Sequence, residues 1–229
     1  MRRIIGVLAA GIVLVAAAPA VGGWAVISVK DVPDRLVVGQ PTTLAFTVLQ
    51  HGVTPMVGLE PTVTLKRRDA GFLSGRQRFR AVPGPERGSY VATVTPGEPG
   101  EIMITVDAEW HEARITLLPV QAVARGESAR TPVISAADRG RVLFVAKGCV
   151  TCHDKRDDAV VQERHQASVG PDLTDRRFAA DWLATKLADP ERNRVRFNEH
   201  VVMPDLDLGA SEIAALVEYV NGGGIASLK

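Results

Sequence analysis

The run Cys149-Val150-Thr151-Cys152-His153 restricts this chain more than any other feature. These are the only two cysteines among 229 residues, and a histidine follows the second directly. A redox dithiol of this spacing belongs in a βαβ setting, which the surrounding sequence lacks. A zinc site needs a second pair of ligands, and no further cysteine exists. Two thiols separated by two residues can instead add across the two vinyl groups of one haem as thioethers. The histidine is then placed as the proximal axial ligand. Cys149 and Cys152 are therefore read as tethers of one covalent haem c, and His153 as its iron ligand.

The sixth ligand is expected well downstream, on a loop folding over the other haem face. Met203-Pro204 lies in such a loop, between Pro190 and a helix start near Ser211. A methionine thioether raises the reduction potential, and the following proline stiffens the segment that presents it. His200, three residues earlier, competes as an imidazole ligand, and the alternative of a purely packed Met203 stays open.

The N-terminus reads as an export segment. Met1-Arg2-Arg3 is a short positive region, residues 4–18 are apolar, and Ala18-Pro19-Ala20 offers small residues for cleavage. No charge occurs from Ile4 until Lys30, so an uncleaved membrane anchor also fits. Pro19 and Gly22-Gly23 interrupt the apolar run and favour cleavage. In either case the remainder is expected in the periplasm or on the outer face of the cytoplasmic membrane.

Residues 24–123 read as an all-β sandwich. Runs at 42–49, 62–65, 90–94 and 102–106 are rich in β-branched and apolar residues, and Gly/Pro turns separate them. Ala25, Ile27 and Val29 share one face of the first strand, with Val26, Ser28, Lys30 and Val32 on the other. A last strand is expected near residues 114–120. Residues 124–134 are small and polar and read as a linker. From 135 to 229 the texture is helical. Ser135 caps a helix reaching about Lys147 with Asp138 reaching back. A second helix covers about 179–188 with Trp182, Leu183 and Leu187 buried. A third starts at Ser211 and carries Ile213, Leu216, Val217 and Val220 on its apolar stripe.

The helical part resembles a class I cytochrome c domain of the bacterial, oxidase-associated type. The matching residues are Gly140, Phe144, Gly148 with the Cys149–His153 motif, Gly170-Pro171-Asp172-Leu173, Trp182-Leu183, Asp189-Pro190, Met203-Pro204-Asp205-Leu206 and Tyr219. The resemblance implies an all-α fold in which Gly140 and Phe144 meet Tyr219. It also implies that the Pro171 carbonyl accepts the Nδ1–H of His153. Residues 154–169 depart from the pattern in being highly charged. That puts surface docking in doubt. The N-terminal part has a weaker likeness, through residues 50–56, 88–92 and 99–102, to Ig-like modules found beside respiratory and copper-handling proteins.

Function follows as an expectation. Two protein ligands close both haem faces, which suits single-electron transfer between partners of a respiratory chain rather than catalysis. Those partners are expected at a haem edge beside the two cysteines. An accessory haem subunit of a membrane-bound oxidase complex is an alternative. A dinuclear copper centre is excluded there, because both cysteines serve the haem. A metal-handling β module, with His51 and Met56 as soft copper ligands, is another. Lys66-Arg67-Arg68 with Arg76, Arg78 and Arg80 forms a basic cluster flanking a hairpin or loop at residues 71–75. It is read as a solvated loop, or as a patch that docks an acidic partner or faces anionic lipid. His111 and His165 are read as surface residues. The balance of 27 basic against 26 acidic side chains gives no reason to expect nucleic acid.

Overall fold

The computed structural model describes residues 23–71, 75–127, 134–192 and 202–222. The export segment, His200 and most of the expected linker lie outside the described residues.

The N-terminal part is β-rich. Its strands are β1 (Ala25–Val29), β2 (Arg35–Val37), β3 (Thr42–Gln50), β4 (Thr54–Pro55), β5 (Thr62–Arg67), β6 (Arg76–Arg80), β7 (Val82–Pro83), β8 (Ser89–Val94), β9 (Gly100–Asp107), β10 (Arg114–Thr116) and β11 (Val120–Val123). One sheet runs β1-β3-β8-β7 with β4 on β3, and the other β2-β11-β9-β5-β6 with β10 on β9. Pairing is antiparallel except between β2 and β11, which are parallel. Every second residue points inward. Leu44, Phe46 and Val48 of β3 share one core with Val63 and Leu65 of β5, Tyr90 and Ala92 of β8, and Ile104 and Val106 of β9. Each large apolar side chain buried there stabilises by roughly 1.5–3 kcal/mol. The buried Tyr90 phenol donates to the Met56 carbonyl (2.8 Å) and accepts from the Leu59 amide (3.2 Å), so its polar end is satisfied.

The basic cluster flanks the β5–β6 hairpin, but its second half is a strand and not a loop. β6 forms a sheet edge, where exposed charges discourage pairing with another chain. These arginines also have acidic neighbours. Arg67 bonds Asp69 (2.7 Å) and Glu98 (2.9 Å), Arg68 bonds Glu101 (3.1 Å), Arg78 bonds Glu109, and Arg80 bonds Glu60 (3.3 Å).

The C-terminal part is helical, with α1 (Ala136–Ala146), a 3-10 turn (Cys149–Thr151), α2 (Ala159–Gln162), α3 (Ala180–Ala188) and α4 (Ala210–Val220). Ser135 caps α1 as expected, its Oγ accepting the Asp138 amide at 3.0 Å. Gly148, at φ +79°, ends that helix in the left-handed conformation glycine adopts without penalty. α4 begins earlier than expected. Its cap is Gly209, whose amide donates to the Glu212 carboxylate at 3.0 Å, so Ser211 falls inside the first turn. Helices α1 and α4 cross at Gly140, where an added Cβ would lie 2.0 Å from the Ala215 carbonyl oxygen. Phe144 and Tyr219 meet beside that crossing, with ring centroids 5.4 Å apart.

The charged stretch 154–169 is folded inward. Arg141 makes two bonds to Asp158 (2.6 and 2.7 Å), and the Tyr219 hydroxyl donates to the same carboxylate (3.0 Å). Gln162 and Ser168 donate to Asp154 at 3.0 and 3.1 Å. His165 is not a surface residue. Its ring nitrogens lie 3.0 Å from the Val150 carbonyl and 3.1 Å from Ser168 Oγ. His111 is exposed and stacks edge-on against Trp110.

The two parts are packed against each other. β1 is buried on both faces. Ala25, Ile27 and Val29 enter the sheet core, while Val26 and Ser28 are buried on the other face. The buried Lys147 ammonium, at the end of α1, donates to the Lys30 carbonyl (2.8 Å) and pairs with Glu212 of α4 (2.9 Å). Arg164 donates to the Thr116 carbonyl of β10 at 2.8 Å.

Candidate haem-binding site

The 3-10 turn follows α1 immediately, so the helix end aims the cysteine motif. The Cys152 and His153 amides both donate to the Cys149 carbonyl, at 3.2 and 3.0 Å. This single turn places Cys149, Cys152 and His153 on the wall of one cavity of about 540 Å³. Cofactor sites commonly occupy about 300–1,000 Å³. Phe144, Leu173, Leu183, Leu187, Leu216 and Val220 supply much of the remaining lining, which is predominantly apolar.

The residues fit a covalent haem on chemical grounds. His153 Nδ1 lies 2.8 Å from the Pro171 carbonyl oxygen. A carbonyl only accepts, so Nδ1 carries the proton and Nε2 keeps a lone pair for a metal. Burial pushes the imidazole below its usual pKa, against the opposing pull of the Pro171 carbonyl, and so favours the neutral ligand form. Gly170 permits this approach, since a Cβ there would lie 2.8 Å from His153 Cε1. Burial pushes both cysteine thiols up to about 12, which keeps them protonated. Met203 lines the same cavity from the opposite side of the sequence, on the irregular segment before α4.

The structure thus brings together Cys149, Cys152, His153, Pro171 and Met203, the five residues singled out from the sequence. Trp182 departs from expectation. It is 43% exposed, stacks on Phe178 with centroids 5.4 Å apart, and stands at the cavity wall instead of in a core. Val26 of β1 also lines the cavity and was not anticipated. The only signal available for it was an apolar residue on the outer face of the first strand. His51 and Met56 are elsewhere. His51 sits in the β3–β4 turn against the Trp24 ring (5.4 Å), and the Met56 side chain packs on the sheet core. Among the described residues no three His, Cys, Asp or Glu side chains converge as a metal site would require.

Residues 137–223 match the family model for cytochrome c. The helical part of this chain is a cytochrome c domain. Such a domain implies covalently bound haem c and electron transfer. No curated protein sequence matches the chain. Among solved structures, the Escherichia coli adhesin FdeC is 20% identical over 44% of this chain and 32% of its own, with a TM-score of 0.31. Domains 4 and 5 of the S-layer protein SbsC are 18% identical over 43% of this chain and 51% of theirs, with a TM-score of 0.29. A superoxide reductase from Ignicoccus hospitalis is 12% identical over 43% of this chain and 80% of its own, with a TM-score of 0.28. The match spans about a third of the adhesin and about half of the S-layer chain. Likeness this low carries no argument about the β part of this chain. Among the described residues no helix is long and apolar enough to cross a membrane.

Proposed function

We propose that this chain is an exported electron carrier holding one haem, tethered through Cys149 and Cys152 and ligated by His153 and Met203. The observation that carries the reading is the bond between His153 Nδ1 and the Pro171 carbonyl at 2.8 Å, within a cavity that Met203 also lines. The bond fixes the tautomer and the ring orientation that an axial ligand requires. His153 and Met203 would hold the haem, which when bound would supply a one-electron iron couple, and a methionine ligand would raise its potential. The apolar walls would keep water from a haem held by His153 and Met203, and two protein ligands would suit a carrier of single electrons rather than an enzyme. The helical part is proposed as a class I fold of the oxidase-associated type, the β part as an Ig-like module, and the N-terminal segment as the export signal or anchor. Its partners would be respiratory redox proteins on the outer side of the membrane.

The test is a pyridine haemochrome assay and an optical spectrum of the purified, exported protein. One c-type haem per chain with the weak far-red band of methionine–ferric ligation supports the proposal. A c-type haemochrome without that band would remove Met203 as ligand. No haemochrome would overturn the reading entirely.

A further inference from the structure

Two glycines mark where the β part approaches the segments that carry the proposed iron ligands. Gly148 precedes Cys149, and a Cβ there would lie 2.6 Å from the Ile27 carbonyl oxygen and 2.7 Å from Val26 Cγ1. Gly52 is in the β3–β4 turn, and a Cβ there would lie 3.3 Å from the Val202 carbonyl oxygen and 3.4 Å from Pro204 Cδ. Val202 and Pro204 flank Met203. The β part therefore comes close to the chain just before the cysteine motif, and again immediately before and after the methionine.

The two contacting surfaces differ in local structure. The β3–β4 turn is tightly built. His51 and Gly52 are consecutive left-handed residues at φ +53° and +75°, within the three-residue connection between the paired Gln50 and Thr54. The Gly52 and Val53 amides donate back to Leu49 (3.2 Å) and Gln50 (3.0 Å), and the His51 amide donates to Trp24 (3.1 Å). Residues 202–209, in contrast, have no regular secondary structure. A hydrogen-bonded turn thus abuts an irregular segment at the residues on either side of Met203.

We infer that the β3–β4 turn braces the methionine loop, with Gly52 as a positioning residue that holds Met203 at the cavity. This rests on the proposed Met203 ligation and deepens it. The lack of a Cβ at Gly52 lets the turn seat directly on the Val202 and Pro204 backbone and ring. Val26, 1% exposed and part of the cavity wall, closes the same seam next to the cysteine motif. The β part thereby completes the haem pocket. It sets how firmly the sixth ligand is held, and with it the balance between ferrous and ferric iron.

Gly58 supplies a matched control. It has the same φ of +75°, and a Cβ there meets nothing within 4 Å. Asparagine tolerates this backbone region. Gly52→Asn and Gly58→Asn in the full-length holoprotein therefore impose similar backbone costs, and only the first adds bulk against the methionine loop. Amide hydrogen exchange over residues 202–206 and the rate of carbon monoxide binding to the reduced protein are measured for both. Gly52→Asn is expected to accelerate both by tenfold or more and to weaken the far-red band, with Gly58→Asn within twofold of the unaltered protein. Equal effects from the two variants, or exchange in Gly52→Asn within twofold of the unaltered protein, would overturn the brace. If Gly52→Asn does not accumulate, Gly52→Ala is read by the same criteria against Gly58→Ala, since it asks the loop to move by only a few tenths of an ångström. Absence of the far-red band in the unaltered protein would sink the Met203 ligation instead, and the exchange comparison would still decide the brace.

Discussion

The Tyr219 hydroxyl donates to Asp158 across 3.0 Å, joining α4 to the start of α2 over 61 positions of sequence. Arg141 of α1 grips the same carboxylate with two bonds, so one buried acid ties three helices together. Burial works to raise the Asp158 pKa. The Arg141 bonds and charge, together with the Tyr219 hydroxyl, outweigh it and hold the carboxyl below its ordinary value of 3.8. Burial and the same acid push the Tyr219 hydroxyl well above its ordinary range.

A group with a depressed folded-state pKa contributes stability above its unfolded value and loses it as pH falls through the folded one. The Asp158 contribution is therefore complete at neutral pH and disappears below about pH 4. Chemical denaturation across the acid range is expected to show a steep loss there, flatter in Asp158→Asn. Tyr219→Phe removes one bond to a charged group and should cost about 1.5–3 kcal/mol at neutral pH. An unchanged acid limb in Asp158→Asn would show that the depressed pKa does not set acid stability.

Gly140→Ala should reverse the usual sign for a helix interior. Alanine there ordinarily stabilises by roughly 0.5–1 kcal/mol relative to glycine. The added Cβ would instead lie 2.0 Å from the Ala215 carbonyl oxygen and 2.6 Å from Tyr219 Cβ. Forcing α1 and α4 apart is expected to cost about 3 kcal/mol or more, in the upper range of overpacking penalties. Urea unfolding midpoints of the variant and the unaltered protein check this.

Lys147→Ala should loosen the seam between the two parts of the chain. The ammonium bridges the Lys30 carbonyl and Glu212, and its loss leaves both short of a partner. A cost of about 1–3 kcal/mol is expected. Hydrogen exchange should rise around residues 28–30 before it rises within the sheet core. Exchange unchanged at those residues would mean that the bridge does not hold the seam.

Met203→Ala is expected to leave the haem covalently attached, lower its potential and open the sixth position to carbon monoxide. Titration of the potential and a carbon monoxide difference spectrum check it. Retention of the native potential together with rejection of carbon monoxide would assign the sixth ligand to another residue.

Much of this arrangement is visible in the sequence where the physics is local. Ser135 and Asp138 mark the start of α1 because capping needs only neighbours in the chain. The alternation in β3, β5, β8 and β9 shows which side chains enter the sheet core. The cysteine motif is legible because thioether attachment demands particular residue types, whereas the Gly170-Pro171 pair is legible only through the resemblance to the cytochrome c family. Elsewhere the deciding partners are remote in sequence. Arg76 to Arg80 reads as a charged loop because an edge strand keeps its charges in water. Glu212 reaches back to Gly209 and moves the α4 start upstream of the more obvious Ser211. Trp182 looks like a core residue, but its site is the cavity wall beside Phe178. His165 reads as a surface residue and residues 154–169 as a highly charged stretch, and only the fold supplies Val150 as a partner of His165, and Arg141 and Tyr219 as partners of Asp158. The alternation along β1 separates its two faces, but nothing nearby in sequence reveals that the end of α1 and the cysteine turn lie against the face carrying Val26 and Ser28.

The double burial of β1 has a consequence for how the chain finds its native state. Side chains alternate strictly along a strand, so sliding β1 by one residue against β3 would exchange its two sets. Val26 would enter the sheet core, and Ile27 would be thrust toward the cysteine turn. A strand with one wet face forgives such an error only in part. This one, serving a different interior on each side, forgives it on neither. The pairing of Ile27 with Val48 is thus a single alignment on which two hydrophobic interiors, assembled from opposite ends of the chain, must agree.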